Sequence, residues 1–319
     1  MNTLIFILSV LFGLMSSLAP PPASAIYGVF VGTSPCDAVS RERLGIPGSA
    51  NCEMIKWNLT LFQHPSRLNP TTYELKFTYG MPQPNTNGLI GGGTTVATRG
   101  KWTMVQGTKS DPNAVTVQLV SKESEKLVSF LKLDHDLLHL LDSDRKLAVG
   151  NGGWSYTLSR KENFRQQTRA ANAAATPSPQ LTSLTDPSSP GATPPSVLGR
   201  FVGRSPCVDV ARELGKTVGA DCMKVKWDLT LYHDSKTLAP TTYKLRGTFY
   251  RDRIKEGTWT ILSGANVNAA AVVYQLEADA SQGPLLFLKA DDDVLLFLDR
   301  GRNLMVGNSD FSYTLNRAK

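Results

Sequence analysis

The chain has 319 residues and a formal net charge of +7, with 41% hydrophobic and 19% charged residues. This apolar content suffices for two domains of ordinary size and argues against wholesale disorder. The positive charge is spread along the chain, and no basic run alternates with aromatic residues. The composition therefore gives no indication of a nucleic-acid partner.

Residues 1–25 have the pattern of a secretory signal peptide. Leu4 to Leu14 form an apolar core, Pro20 to Pro22 interrupt it, and Ala23-Ser24-Ala25 fits the small-x-small cleavage pattern. The apolar stretch is shorter than the roughly 20 residues that span a bilayer, which disfavours a retained membrane anchor. We therefore predict an exported protein, periplasmic or extracellular, that is cleaved near Ala25 and has no membrane span in its mature chain.

An internal repeat is the strongest pattern in the sequence. Gly32-Thr33-Ser34-Pro35-Cys36 returns as Gly203-Arg204-Ser205-Pro206-Cys207, and Lys56-Trp57 returns as Lys226-Trp227. The chain is therefore predicted to contain two tandem copies of one domain.

The two copies differ in length. The offset between copies is 170 for Trp57 and Trp227 but 157 for Tyr156 and Tyr313, so the first copy has 13 additional residues. These fall in the stretch around Pro82 to Gly93, whose Pro, Asn and Gly content predicts a long flexible hairpin loop.

A linker is predicted between the copies. Residues 161–196 are rich in Ala, Pro, Ser, Thr and Gln and contain few large apolar side chains, a composition that cannot build a core. The predicted organisation is a signal peptide over 1–25, one domain over 26–160, this linker, and a second domain over 197–319.

Each copy is predicted to be all-β. Trp57, Leu59 and Leu61 alternate with polar residues, which is the period of an antiparallel strand with one buried face. About eight such strands follow one another, which favours a small lipocalin-like up-and-down barrel without exposed edges over the alternative of a two-sheet sandwich. In the first copy the predicted strands lie near 28–32, 54–62, 72–79, 100–105, 115–120, 128–133, 137–141 and 154–158.

A short helix is predicted between strands one and two of each copy. Asp37 to Leu44, followed by Gly45, has the acidic start and glycine stop of such a helix. Asp209 to Leu214, followed by Gly215, repeats the pattern. Each helix lies between the two cysteines of its copy.

Four cysteines permit three disulfide pairings. The repeat favours Cys36–Cys52 and Cys207–Cys222, because each copy then closes in the same way, and export would expose the thiols to an oxidising compartment. The main interpretation is a disulfide that holds the helical loop. Two alternatives stay open: a redox-responsive thiol at Cys36 or Cys207, each close to a helix N-terminus, and Cu(I) binding by thiolates.

Aromatic residues also recur at equivalent positions of the two copies. We expect most of them in the barrel cores, although an eight-stranded barrel can hold one small apolar ligand at its mouth. The six candidates for core or ligand contact are Trp57, Trp102, Trp227, Trp259, Tyr73 and Tyr243.

No nucleophile and base recur in both copies, so we predict that the protein is not an enzyme. Asp291-Asp292-Asp293 falls in a predicted hairpin turn and lacks the spaced oxygen ligands of a calcium loop. No cofactor is predicted, with copper left as an alternative. The histidines have no counterpart in the other copy and are expected at the surface or in turns: His64, His135, His139 and His233.

A family resemblance is carried by the Gly32–Cys36 segment, Cys52, Gly100-Lys101-Trp102 and Leu140-Leu141-Asp142. In this order they resemble the N-terminal domain family of NlpE, a copper-homeostasis and envelope-stress lipoprotein of the bacterial outer membrane. The resemblance covers both copies. It implies a lipocalin-like barrel, a link to copper resistance or stress sensing, and a motif role for the cysteine pair of each copy.

Three functional hypotheses follow. The first is an exported, non-enzymatic envelope protein that acts as a binding or sensing module for a small apolar ligand or an envelope protein. The second is a copper or redox sensor that uses the cysteines. The third is a protein-interaction module, of the inhibitor or adhesion type, that uses the loop around Pro82–Gly93.

Overall fold

A computed structural model describes residues 24–121, 127–161, 195–219, 221–250, 254–277 and 283–319. Apart from their end residues, the predicted signal peptide and linker lie outside these ranges. No helix in the described part of the chain is long and apolar enough to cross a membrane.

The first copy folds into a closed antiparallel barrel in which each strand pairs with the next and the last pairs with the first. Strand order follows the sequence, so the predicted up-and-down topology is confirmed. The strands are β1 (Ala25–Pro35), β2 (Met54–Gln63), β3 (Pro70–Gly80), β4 (Thr94–Gln106), β5 (Val115–Ser121), β6 (Leu127–Lys132), β7 (Leu137–Leu140) and β8 (Thr157–Arg160).

The second copy forms the same closed barrel. Two tandem all-β barrels are therefore the fold of the described chain, as the alternation of apolar and polar residues predicts. The strands are β9 (Ser196–Pro206), β10 (Lys224–His233), β11 (Pro240–Gly247), β12 (Lys255–Ala265), β13 (Asn268–Leu276), β14 (Leu285–Lys289), β15 (Val294–Leu298) and β16 (Thr314–Arg317).

The last strand of the first barrel begins three residues later than predicted. The side chain of Asn151 accepts hydrogen bonds from the backbone N–H of Gly153 (2.7 Å) and Trp154 (3.0 Å), which holds this segment in a turn. The strand therefore starts at Thr157 instead of residue 154. Asparagine stabilises such turns because its side chain can accept from the backbone a few residues later.

The insertion in the first copy lengthens the hairpin between β3 and β4. Thr94 pairs with Tyr79, so β4 begins well before the predicted residue 100. Beyond the strands, Gln83 N–H donates to the carbonyl of Gly88 at 3.0 Å and Leu89 is buried. The predicted loop is thus present, and it is fastened by its own hydrogen bonds and by one apolar anchor.

A helix follows the first strand in each barrel, as predicted. Helix α1 (Ala38–Leu44) is capped by Asp37, whose carboxylate accepts from the N–H of Val39 and Ser40, and it ends at Gly45 with φ 69°. Only glycine adopts this left-handed conformation at little cost. Helix α2 (Cys207–Glu213) begins at the cysteine itself, earlier than the predicted Asp209.

The two barrels pack against each other through the outer faces of their last strands. In β15, Leu295 and Phe297 point into the barrel, whereas Val294 and Leu296 join an apolar cluster that also contains Leu137 of β7. A strand that is buried on both faces shows a continuous apolar run instead of alternation. This explains the leucine-rich segments that begin at Leu137 and Val294.

An approximate twofold axis relates the barrels. Thr157 and Thr314 occupy equivalent positions, and their hydroxyl groups hydrogen-bond to each other at 2.8 Å. Asn316, the equivalent of Ser159, accepts at 2.8 Å from the N–H of Gly150 in the other barrel. A residue that contacts its own equivalent is the mark of an isologous interface, here formed within one chain.

Candidate functional site

The six predicted core or ligand-contact aromatics are all buried, with exposed fractions of 1% to 3%. Trp57 donates from its indole N–H to Ser34 Oγ, and Trp227 donates to Ser205 Oγ, both at 2.8 Å. Trp102 and Trp259 donate to the carbonyls of Phe62 and Tyr232, respectively. The hydrogen-bond partners of each tryptophan pair thus occupy equivalent positions in the two copies. The repeated tryptophans are therefore packing residues of the two cores.

A small cavity remains at the mouth of the first barrel beside α1. It measures about 180 Å³ and is lined by Tyr73, Leu75, Phe77 and Val128, with Arg43 at its edge. Ligand pockets commonly measure roughly 300–1,000 Å³, so this cavity is small for an organic ligand.

Both predicted disulfides are present. Cys36 is bonded to Cys52 and Cys207 to Cys222, with a Cα–Cα distance of 5.7 Å in each case. All four sulfur atoms are therefore engaged, and each bond ties a helical loop to the start of the next strand. Within the described residues, no cluster of three or more His, Cys, Asp or Glu side chains could hold a metal ion.

The prediction of a surface or turn position is wrong for His139. This residue is on β7 and is 1% exposed, facing the interface between the barrels. Its Nε2 is 2.9 Å from the carbonyl of Ala148, so Nε2 carries the proton, and Nδ1 accepts from the hydroxyl of Thr157 at 2.9 Å. Burial lowers the pKa of His139 to about 4, which keeps the ring neutral.

The three consecutive aspartates lie in the turn between β14 and β15, as predicted. Asp291 accepts from the backbone N–H of Asp293 and Val294. Asp292 pairs with Lys289 and Asp293 pairs with Arg317, so the carboxylates are occupied by protein partners.

A cleft of about 260 Å³ lies between the barrels on the approximate twofold axis. One wall is the inserted loop of the first barrel, residues 82–88. Both barrels contribute equivalent positions to the lining, which are the pairs Thr33 and Arg204, Met54 and Lys224, and Trp154 and Phe311.

The two copies give the cleft different chemistry. Thr33 and Met54 of the first barrel are uncharged, whereas Arg204 and Lys224 at the equivalent positions of the second are cationic. In the third pair, Trp154 and Phe311, both residues are aromatic. The positive charge of the cleft therefore comes from the second barrel, and the loop wall comes from the first.

Both cleft cations lie against aromatic rings. The guanidinium carbon of Arg204 is 5.9 Å from the ring centroid of Trp154, and Lys224 Nζ is 5.5 Å from that of Phe311. The Nε atom of Arg204 is buried without a hydrogen-bond partner. Burial lowers the pKa of both side chains, and the positive charges of Arg204 and Lys226 lower that of Lys224 further.

Asp310 carries the carboxylate that lines the cleft, and two residues of the first barrel donate hydrogen bonds to it. Its Oδ1 accepts from Lys56 Nζ at 2.8 Å and its Oδ2 accepts from Asn87 Nδ2 at 3.2 Å. Since Asp310 is paired with Lys56, neither Arg204 nor Lys224 has a carboxylate partner among the described residues.

Two equivalent turns position the aromatic residues of the cleft. Asn308 accepts from the N–H of Asp310 and Phe311 at 2.9 Å, as Asn151 does in the first copy for the turn that leads to Trp154. Thr33 fastens the interface beside them by donating to the carbonyl of Ser309 at 2.7 Å.

The sequence predicts the hairpin loop of the first copy but not the cleft that this loop borders. The signal that could have found it is the contrast between copies at Thr33 and Arg204 and at Met54 and Lys224, where a neutral residue in one copy faces a cation in the other. From the sequence alone this contrast does not indicate a site, because the two copies line one cavity only when the barrels are packed about the twofold axis.

Comparison of the chain with protein-family models, curated proteins and solved structures finds no match in any of the three. The resemblance to the NlpE family therefore stays a prediction.

Proposed function

We propose that the chain is an exported, non-catalytic binding protein whose two barrels form one scaffold and whose ligand site is the cleft between them. The observation that carries this proposal is the pattern of divergence between the copies. Core positions such as Trp57 and Trp227 keep their residue and its partner, whereas the cleft positions Met54 and Lys224 differ in charge.

A binding role fits the lining better than a catalytic one. The described lining contains two cations, side-chain amides, aromatic rings, the engaged carboxylate of Asp310, apolar residues and the hydroxyl groups of Thr33 and Thr86, and it contains no histidine that could act as a base for them. Such a set can orient and hold a ligand, but it offers no activated nucleophile. Two disulfides support export, since such bonds persist in oxidising compartments.

The copper or redox alternative requires a reduced cysteine pair. Cu(I) binds thiolates, and both pairs are disulfide-bonded, with Cys36 and Cys52 each only 7% exposed. We therefore rank this alternative below ligand binding.

A second candidate function is protein binding by the loop of the first barrel. The tip residues Pro84, Asn85 and Thr86 are exposed, and they stand beside the cleft. Both small-molecule binding and protein binding would need the loop. The size of the molecule that binds therefore distinguishes the two functions.

Native mass spectrometry of the full exported protein tests the proposal. The matched variant deletes residues 81–93, the 13 residues that the second copy lacks, and this removes one wall of the cleft. We expect the wild type to retain a small-molecule adduct and the shortened variant to lose it, with both disulfides intact. An adduct retained by both proteins would contradict the proposal, and so would a wild type whose melting temperature no member of a small-molecule panel raises.

A further inference from the structure

We infer that the cleft between the barrels takes a small organic anion, whose acidic group binds Arg204 and Lys224 and whose planar or apolar part lies between Trp154 and Phe311. The inference rests on the proposed function and adds the chemical class of the ligand.

The first support is the charge of the cleft. In the part of the chain that the structure describes, neither Arg204 nor Lys224 forms an ion pair, although Arg204 Nε is removed from water. Both side chains are half-buried, and the Nε–H of Arg204 has lost water without gaining a hydrogen-bond acceptor, which is a cost that a bound anion relieves. Asp310 does not fill this role because Lys56 and Asn87 hold its two oxygens.

The second support is the geometry of the cations. Arg204 extends across the interface to the first barrel, since a Cβ at Gly153 would lie 3.9 Å from its Nη1. A guanidinium presents parallel N–H groups that match a carboxylate or phosphate, and an ammonium adds a point charge beside it. Met54 and Thr33 at the equivalent positions cannot provide either contact, so the acidic group is expected on the side of the second barrel.

The third support is the apolar part of the lining. Trp154 and Phe311 are equivalent residues on opposite barrels, and turns of the same kind hold both. The volume of about 260 Å³ is also below the usual range of ligand pockets, so the cleft admits only a small molecule, of the size of one aromatic ring with an acidic group, and excludes a folded partner. A neutral ligand of the same shape would leave both cations uncompensated.

The test uses three probes of one shape and different charge: benzoate, benzamide and benzamidinium. Trp154 reports binding by fluorescence, because the other four tryptophans of the chain are buried in the cores with exposed fractions of 1% to 3%. Trp154→Phe, which introduces the aromatic residue of the second copy, removes the signal and identifies its source. Titrations use the full exported chain with both disulfides intact.

We expect the dissociation constant of benzoate to be at least about tenfold lower than that of benzamide or benzamidinium. A charge-assisted hydrogen bond between the carboxylate and a cation contributes about that factor to affinity or more. Arg204→Gln and Lys224→Met should each weaken benzoate binding by about tenfold. Lys236→Gln is the control, because it removes one charge from an exposed site at the opposite end of β10.

Collisional quenching measures the charge of the cleft without requiring affinity for any probe. The ratio of iodide quenching to acrylamide quenching should be higher for Trp154 than for free tryptophan, and this iodide preference should fall in Arg204→Gln and Lys224→Met but not in Lys236→Gln. An unchanged iodide preference, or benzamide binding as tightly as benzoate, would overturn the inference. If native mass spectrometry finds an adduct that needs the loop but benzoate does not bind, the ligand class fails and the proposed function stands.

Discussion

At the residue scale, an arginine closes one end of each barrel. Arg160 is 2% exposed, donates to the carbonyls of Tyr27 and His135, and places its guanidinium carbon 4.7 Å from the ring centroid of Phe30. The equivalent Arg317 makes the same kind of contacts in the second barrel. Because the pattern is repeated, it belongs to the architecture of the domain.

Arg160→Met should destabilise the first barrel by about 3 kcal/mol, because two partly buried carbonyl groups lose their donors and Asp136 loses an ionic partner. Urea unfolding followed by circular dichroism measures this loss. Lys161→Met, at an exposed neighbouring position, is the control and should change the free energy of unfolding little. Equal stability of the two variants would show that the buried arginine is not needed.

His139 gives the stability of the protein a pH dependence. Its pKa is about 4 in the folded chain and about 6.5 when unfolded, so the unfolded state binds more protons between these values. The stability contributed by the neutral ring is complete above pH 6.5 and is lost as the pH falls to about 4, a change of about 3 kcal/mol. Protonated Nδ1 would no longer accept from Thr157.

His139→Leu tests this dependence, because leucine is the equivalent residue, Leu296, in the second copy. The free energy of unfolding, measured from pH 7.5 to pH 4, should fall less steeply in the variant than in the wild type. Parallel curves would assign the acid sensitivity to other groups.

At the element scale, the period of the sequence predicts most strands, and the exceptions have physical causes. The run at Leu137 does not alternate because both faces of β7 are buried, one in the core and one against the second barrel. The start of β8 shifts to Thr157 because Asn151 holds a turn before it. The local pattern of apolar residues indicates which side chains are buried. It does not indicate whether the barrel core or the other barrel covers them.

The disulfide of each copy is expected to stabilise the segment that contains the helix. Replacing Cys36 and Cys52 together by alanine should lower the free energy of unfolding by about 3 kcal/mol, the value for a loop of this length. The far-ultraviolet spectrum of the barrel should persist, because β2 and its neighbours are paired independently of the bond. An unchanged midpoint of urea unfolding in the double variant would contradict a structural role.

At the scale of the whole molecule, the repeat predicts two barrels but not their arrangement. The composition of 161–196 indicates a linker between two domains but does not report whether the domains touch, and the barrels share an apolar cluster that includes Leu137, Leu288 and Leu296. The cleft could not be predicted because it exists only in this arrangement.

The barrels are expected to stay together when the chain is cut. A protease site introduced within 162–194 should yield two fragments that elute together in size-exclusion chromatography, because the interface is apolar and hydrogen-bonded between equivalent residues. Leu296→Asp, which places a charge in the cluster, should separate them. Fragments that elute apart without this substitution would mean that the linker alone joins the barrels.

The central claim is that the cleft, and not a barrel interior, is the ligand site. Native mass spectrometry of the exported protein can compare Lys224→Met in the cleft with Val128→Phe, which fills the cavity at the mouth of the first barrel. We predict that the acidic adduct of the wild type is lost from the Lys224 variant and kept by the Val128 variant. Loss from the Val128 variant alone would contradict it.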